Sequence, residues 1–575
     1  MARLNRRRFL GQSLPLTLGP LLISGITSAR SLSERSSLRQ GKRELRADLV
    51  IIGGSLGGIA AALAALRAGL RVIVTEETDW IGGQLTSQGV PPDENRWIET
   101  HGCTRSYRDL RNGIRDYYRR GYPLTPEAAA RKELNPGDGN VSRLCHEPRV
   151  ALAVLESLLA PYQSSAQLLL LLNHTALSAD VQGDTVRAVQ CLSRSSGGKV
   201  TLEAPWFIDA TELGELLPLA KVEHVMGAES RKQHGEPHAP EKANRANQQA
   251  FTVCFAVDHI AGADHRIARP SDYDSWRAYV PALTPKWPGR LLSLTYSHPQ
   301  TLAPRTVAFD PQKDTAPSTF NIWRYRRIAR QANFKAGAYA GDISLINWPQ
   351  NDYLAGNLIG VDEAEAGRHV RRAKQLNLSL LYWLQTEVPR EDGGQGWPGL
   401  RLRGDLMGTE DGMAKYPYIR ESRRIQAVYT VTELDCGRQA RAAKLGVAES
   451  TVTAAAYNDS VGIGHYNIDL HPSTTGENYI DVPSLPFQIP LGALLPVRIK
   501  NLVPACKNLG TTHITNGCYR LHPVEWNIGE AAGALIAFSH RRKSQPHAVR
   551  STPSLLTDFQ TQLIQDGFEL RWPNP

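Results

Sequence analysis

Two short apolar runs, Leu49 to Ile52 and Leu70 to Val74, flank an alanine- and leucine-rich stretch from Ile59 to Arg67. Runs of this length read as buried strands, and the stretch between them reads as a buried helix closed by Gly69. The turn leading into the helix, Gly53-Gly54-Ser55-Leu56-Gly57-Gly58, is dense in glycine. One β-α-β unit is therefore predicted. Farther along, Glu147 to Leu159 has helical spacing. From Leu168 to Val200 short β-rich runs alternate with turns, which predicts a small antiparallel meander that includes Leu168 to Leu172. An apolar strand follows at Trp206 to Thr211, then Gly214.

Between about Lys221 and Leu485 the pattern loosens into long loops, with helix-like stretches near Gly367 to Gln385 and Ser450 to Tyr457. Order returns at Leu502 to Ala505 and in a helical pattern from Glu525 to Phe538. The expected fold class is α/β: a Rossmann-like domain built from residues 47–220 and 486–545. Residues 221–485 form an inserted α+β substrate lobe, and 546–575 a C-terminal tail.

The glycine turn brings in chemistry. A strand that empties into G-x-S-x-x-G and then a helix is the context of a dinucleotide site. Its glycines let the backbone approach a pyrophosphate at the helix N-terminus. Glu76, 23 residues after Gly53, is placed to accept ribose hydroxyls. Ser55 departs from the pattern, which has glycine there. A second match, Gly394, Gly396 and Gly399, holds Trp397 and Pro398 inside the loop and has no strand before it, so it reads as a turn cluster. One permanently held nucleotide is expected, not two.

Composition narrows the function. The seven cysteines contain no C-x-x-C pair, which argues against a zinc ribbon, an iron–sulfur cluster or a thioredoxin-type site, and no metal is expected. His224, His234 and His238 fall in a Gly/Pro/Lys-rich loop. The net charge of +10 is concentrated at the start: residues 1–46 hold ten Lys/Arg and two acids, leaving +2 for the rest. The folded part therefore has no nucleic-acid footprint. Arg6-Arg7-Arg8-Phe9-Leu10 and the broken apolar stretch to Ile26 resemble a twin-arginine signal over 1–29. A linker over 30–46 follows, and periplasmic or secreted localisation is expected, without a stable membrane span.

Several separated motifs resemble the FAD-dependent oxidoreductase family with a glutathione-reductase-type flavin domain, whose relatives include xanthan lyase-like flavoproteins and heterodisulfide reductase flavin subunits. The resemblance runs from Asp48 to Phe538. It implies FAD as cofactor, with contacts from Gly53, Gly54, Ser55, Gly58, Glu76, the doublet Gly82-Gly83, and Asp209, Thr211 and Gly214. A C-terminal flavin motif adds His513, Arg520 and Gly529, and a helix starting near Pro523 is implied to aim its positive end at the flavin. The cluster cysteines of heterodisulfide reductases are missing.

A flavin enzyme needs a base and an orienting cation. His146, His465, His471 and His522 are candidate bases, and Arg420, near Arg423 and Arg424, is a candidate clamp for a substrate carboxylate. Cys103 and Cys145 would make a redox disulfide if the fold brought them together. The expected function is oxidation of a small polar metabolite or saccharide, with electrons passed to oxygen, a quinone or a protein. The alternative is a non-redox saccharide-active or saccharide-binding protein with structural FAD.

Overall fold

The computed structural model describes residues 43–313 and 320–573. The signal expected over residues 1–29 therefore lies outside the described residues. Strand β1 (Leu49–Ile52) runs into α1 (Leu56–Arg67), and β2 (Val72–Glu76) returns beside β1 in parallel. Three more strands complete a five-stranded parallel sheet: β3 (Leu168–Leu172), β4 (Trp206–Asp209) and β5 (Leu502–Pro504). Their order is β5-β4-β1-β2-β3. All four residues of β1 are buried because both faces of the sheet are covered, which is why the strand reads as a continuous apolar run.

Two sequence expectations are corrected here. Leu168 to Leu172 is not part of the meander but the edge strand of the parallel sheet, with Val72 opposite Leu168 and Glu76 opposite Leu172. Its unbroken leucines suit a parallel strand, whereas alternation marks the true meander, His174–Gln182, Thr185–Ser193 and Lys199–Glu203. The stretch Ser450 to Tyr457 forms no helix.

The last long helix, α2 (His522–Arg542), crosses directly against α1. A Cβ on Gly529 would stand 2.5 Å from the carbonyl carbon of Gly57, and one on Gly533 would stand 2.8 Å from that of Ala61. The two helices meet backbone to backbone, which only these small residues permit. A second hydrophobic core gathers residues such as Phe251, Trp287, Trp323, Ile346 and Leu380, well away in sequence from the glycine turn. Around it lie a four-stranded antiparallel sheet, with Phe255–His259 and Ile343–Ile346 at its centre, and the helix Glu363–Thr386. From Glu44 onward the chain is one compact unit.

Candidate functional site

The glycine turn is built for close approach. Gly53 has a left-handed φ of 102°, and a Cβ on it would lie 2.6 Å from the Thr211 nitrogen. Ser55 has φ −58°, which any L-residue adopts, and its hydroxyl accepts a hydrogen bond from the Gly58 amide at 3.2 Å. The residue that departs from the fingerprint thus caps α1, a contact worth about 1 kcal/mol.

Glu76 is buried at the end of β2. Its carboxylate accepts from the Gly54 amide (3.0 Å) and from the Thr78 amide (2.8 Å). Burial pushes its carboxyl up to about 7, against the pull of those hydrogen bonds. Gly82 donates its amide to the Gly54 carbonyl at 2.7 Å, so the doublet folds over the glycine turn. Thr211 donates to Asp209 through its hydroxyl at 2.7 Å.

A charged cluster that sequence reasoning missed closes the N-terminus of α1. Glu525 accepts from the Gly57 amide (3.3 Å) and from Gln84 Nε2 (2.5 Å). Lys507, fully buried, pairs with Glu525 at 3.3 Å and with Glu212. Burial alone would lower its pKa, but the two carboxylates outweigh burial and hold it well above the usual lysine range. These residues come from far apart in the chain, and none has a local motif to announce it. Among the described residues, four buried oxygens of this region have no partner: Asp209 Oδ2, Glu212 Oε1, Thr511 Oγ1 and Asn516 Oδ1. One donor, Gln88 Nε2, is likewise unpaired. Orphaned polar atoms of both kinds, beside a glycine-lined helix N-terminus and a buried cation, fit a ligand that carries phosphates, hydroxyls and a heteroaromatic edge.

The remaining cofactor candidates separate. Gly214, with a left-handed φ of 64°, turns the chain against Arg423. His513 is bonded to Glu421 at 2.9 Å, and its amide donates to Glu229. Arg520 lines the large cavity described below. Gly529 departs from the expected cofactor contact: the Gly57 backbone fills the space beside it, so its place is helix packing.

A cavity of about 1540 Å³ opens beside this region. His465, His471, Arg420 and Arg520 line it, and Arg326, Tyr418 and Asp469 join them. His471 Nδ1 is 2.6 Å from Asp352 Oδ2, while Asp352 Oδ1 pairs with Arg420 at 3.0 Å and accepts from Thr252 Oγ1 at 2.6 Å. Burial pushes the Asp352 carboxyl up, but Arg420 and His471 outweigh it and hold it below the usual carboxylate range. A carboxylate only accepts, so His471 donates from Nδ1 to Asp352, and its Nε2 stands 3.9 Å from Asp469 Oδ2. Arg520 reaches Asp469 at 3.3 Å and the Tyr418 hydroxyl at 3.4 Å.

The other candidate bases stand elsewhere. His522 accepts the Asp93 amide on Nδ1 at 3.1 Å and is fully buried, with its pKa lowered to about 3 by burial. His146 bonds the Glu147 carbonyl at 3.0 Å, and burial lowers it to about 4. Neither lines the cavity. Of the three neighbouring arginines, Arg420 alone lines it. Arg424 is buried between Glu421 and Glu229, and Arg423 donates to the Leu213 carbonyl. Cys103 and Cys145 have separate partners, Arg108 and the Ser142 carbonyl. The thiols that meet are Cys436 and Cys518, with sulfurs 4.0 Å apart.

A parallel sheet, a glycine turn at a helix N-terminus, and an acid ending the second strand define a dinucleotide-binding α/β protein. The sequence profile described as FAD dependent oxidoreductase matches residues 48–563, and the chain belongs to that family. FAD is the cofactor that this membership brings. No curated protein matches the chain.

Among solved structures it is similar to L-proline dehydrogenase from P. horikoshii: 16% identity over 33% of this chain and 25% of that one, TM-score 0.18. It is also similar to the glycerol-3-phosphate dehydrogenase from Bacillus halodurans: 16% identity over 37% and 40%, TM-score 0.21. A third is p-nitrophenol 4-monooxygenase from Pseudomonas putida: 14% identity over 38% and 49%, TM-score 0.23. Each match spans less than half of the other chain.

Proposed function

We propose that the enzyme oxidises a small polar metabolite or saccharide in the large cavity, with His471 as the base. The observation that carries this reading is the Asp352–His471 pair at 2.6 Å, backed by Arg420 and lining the cavity. When bound, FAD supplies a two-electron acceptor. The chain's own part is acid–base and orienting. His471 Nε2 takes the proton of a substrate hydroxyl or amine. Asp352 stabilises the imidazolium that results, and Arg420 keeps Asp352 charged and in place. Arg520 and Tyr418 offer donors that orient polar groups of the substrate. Electrons then leave to oxygen, a quinone or a protein acceptor.

The twin-arginine pattern supports export of the folded, FAD-loaded protein to the periplasm or medium. Changing Arg6 and Arg7 to lysine is expected to leave the protein in the cytoplasm, and normal export of that variant would remove the assignment.

The test of the chemistry is anaerobic bleaching of the flavin by a panel of alcohols, sugars, amines and amino acids. Reduction by a member of the panel, slowed roughly a hundredfold or more in His471→Ala with FAD retained, is the expected result. If a substrate reduces His471→Ala at the normal rate, the base lies elsewhere. A ligand that binds but never bleaches the flavin would favour the saccharide-binding alternative.

A further inference from the structure

Which polar molecule the cavity takes can be argued from its walls. Drug-sized ligands occupy clefts of roughly 300–1,000 Å³. At about 1540 Å³ this cavity has room for more than one sugar-sized unit. Nine aromatic side chains line it, against three branched aliphatic ones, Ile322, Val452 and Leu485. Such a wall suits rings that show C–H faces and hydroxyl edges, and it suits an acyl chain poorly.

The charges are unevenly spread. Seven arginines line the cavity against four acids, Asp93, Glu94, Asp469 and Asp481. At the inner end the cations are neutralised: Arg326 pairs with Asp93, Arg520 with Asp469, and Arg420 with Asp352. Asp469 also stands 3.9 Å from His471, and Glu94 is held by Arg111 at 2.8 Å.

The outer end differs. Arg96, Arg438 and Arg571 line the cavity and have no carboxylate partner among the described residues. Arg96 and Arg571 are exposed, and Arg438 is half-buried. They surround an aromatic cluster in which Trp97 lies 5.1 Å from His465 and 5.2 Å from Trp572, centroid to centroid. Arg96 lies 4.2 Å from the centre of the Trp97 ring, and Arg96 and Arg438 both act electrostatically on His465. Arg438 Nη1 donates to the Glu449 carbonyl at 3.3 Å, so the charge of these groups is left unneutralised. Rigid rings beside guanidinium groups that no carboxylate neutralises make a site for a ring that carries a carboxylate, because arginine matches a carboxylate with two parallel donors.

We infer that the substrate is an acidic oligosaccharide. Its reacting unit sits at His471, and a neighbouring uronate-type unit lies at the outer end among Trp97, Trp572, Arg96, Arg438 and Arg571. This rests on the reading of the cavity as the substrate site.

The experiment compares trigalacturonate and trimannuronate with their uncharged methyl esters. Binding to the FAD-loaded enzyme is followed by tryptophan fluorescence and calorimetry, and flavin bleaching is read separately. At least one acid is expected to bind about tenfold or more tighter than its ester, with the advantage shrinking as salt is raised. Arg438→Gln should remove most of that advantage. If this variant is poorly folded, Arg571→Gln, at an exposed position, provides the same comparison. Equal binding of acid and ester, or unchanged preference in the folded variant, overturns the inference.

Its failure is separable from that of the proposed function. Acid-selective binding without bleaching keeps the outer site and removes the redox role of the cavity. Bleaching by a small neutral substrate, with no acid-selective binding, does the reverse.

Discussion

Replacing Gly529 with alanine isolates the contact between α1 and α2. On an open helix this change is favourable by about 1 kcal/mol, because alanine has the better helix propensity. Here the added Cβ would stand 2.5 Å from backbone atoms of Gly57, and ordinary contact begins near 3.4 Å. The Gly57 carbonyl oxygen is nearer still, so the helices must part by more than about 1 Å, and a backbone cannot rotate away as a side chain can. Overpacking a core costs about 1–3 kcal/mol, and a backbone-limited site belongs in the upper half of that range. The net is a loss of about 1–2 kcal/mol. Because Gly57 belongs to the glycine turn, the displacement also moves the α1 N-terminus.

The assay is thermal unfolding with flavin content per chain. Gly529→Ala should lower the melting temperature by a few degrees and retain less FAD. Gly367→Ala is the control: that glycine is also helical, but its Cβ would meet nothing closer than the end of Arg371, at 3.3 Å. It should be neutral or stabilising. If Gly529→Ala behaves like the control, with full flavin, the backbone-contact reasoning fails.

Other outcomes are expected. Asp352→Asn should slow flavin reduction roughly tenfold or more while a Lys507 variant keeps its base and loses FAD instead, and the two defects are distinguished by flavin content after gel filtration. The buried Glu76 carboxyl, raised to about 7 from an ordinary 4.5, makes the FAD-free protein lose stability as pH climbs from about 4.5 through 7. Glu76→Gln should therefore gain on wild type at pH 8 and not at pH 4.5, and an equal gain at both would assign the effect to packing. All seven cysteines are buried, so a thiol reagent should find almost none in the native reduced protein and seven after denaturation.

The nucleotide half was legible because its signals are local. A glycine turn, a helix and an acid 23 residues on sit in one stretch of chain. Leu168 to Leu172 was misplaced because a run of leucines carries no sign of its partner, and only the fold sets it beside Val72. The large cavity was legible in part. His465 and His471 stood out as candidate bases and Arg420 as a candidate clamp. Asp352, Arg326, Lys507 and Trp572 did not, since each gains its meaning from a residue about a hundred or more positions away.

The sheet order has a consequence for how the molecule is made. Strand β5 lies beside β4, yet almost three hundred residues separate Asp209 from Leu502. Until residue 504 has been synthesised, β4 presents an unpaired edge, and the α1 face that packs on α2 stays uncovered. At roughly 5–20 residues per second, that edge is exposed for tens of seconds on the ribosome. An unpaired strand edge is a template for association with other chains. Folding of the nucleotide half thus finishes only after β5 and α2 have been made, and flavin insertion waits for both. A truncation before Leu502 should accumulate as aggregate rather than as a smaller flavoprotein.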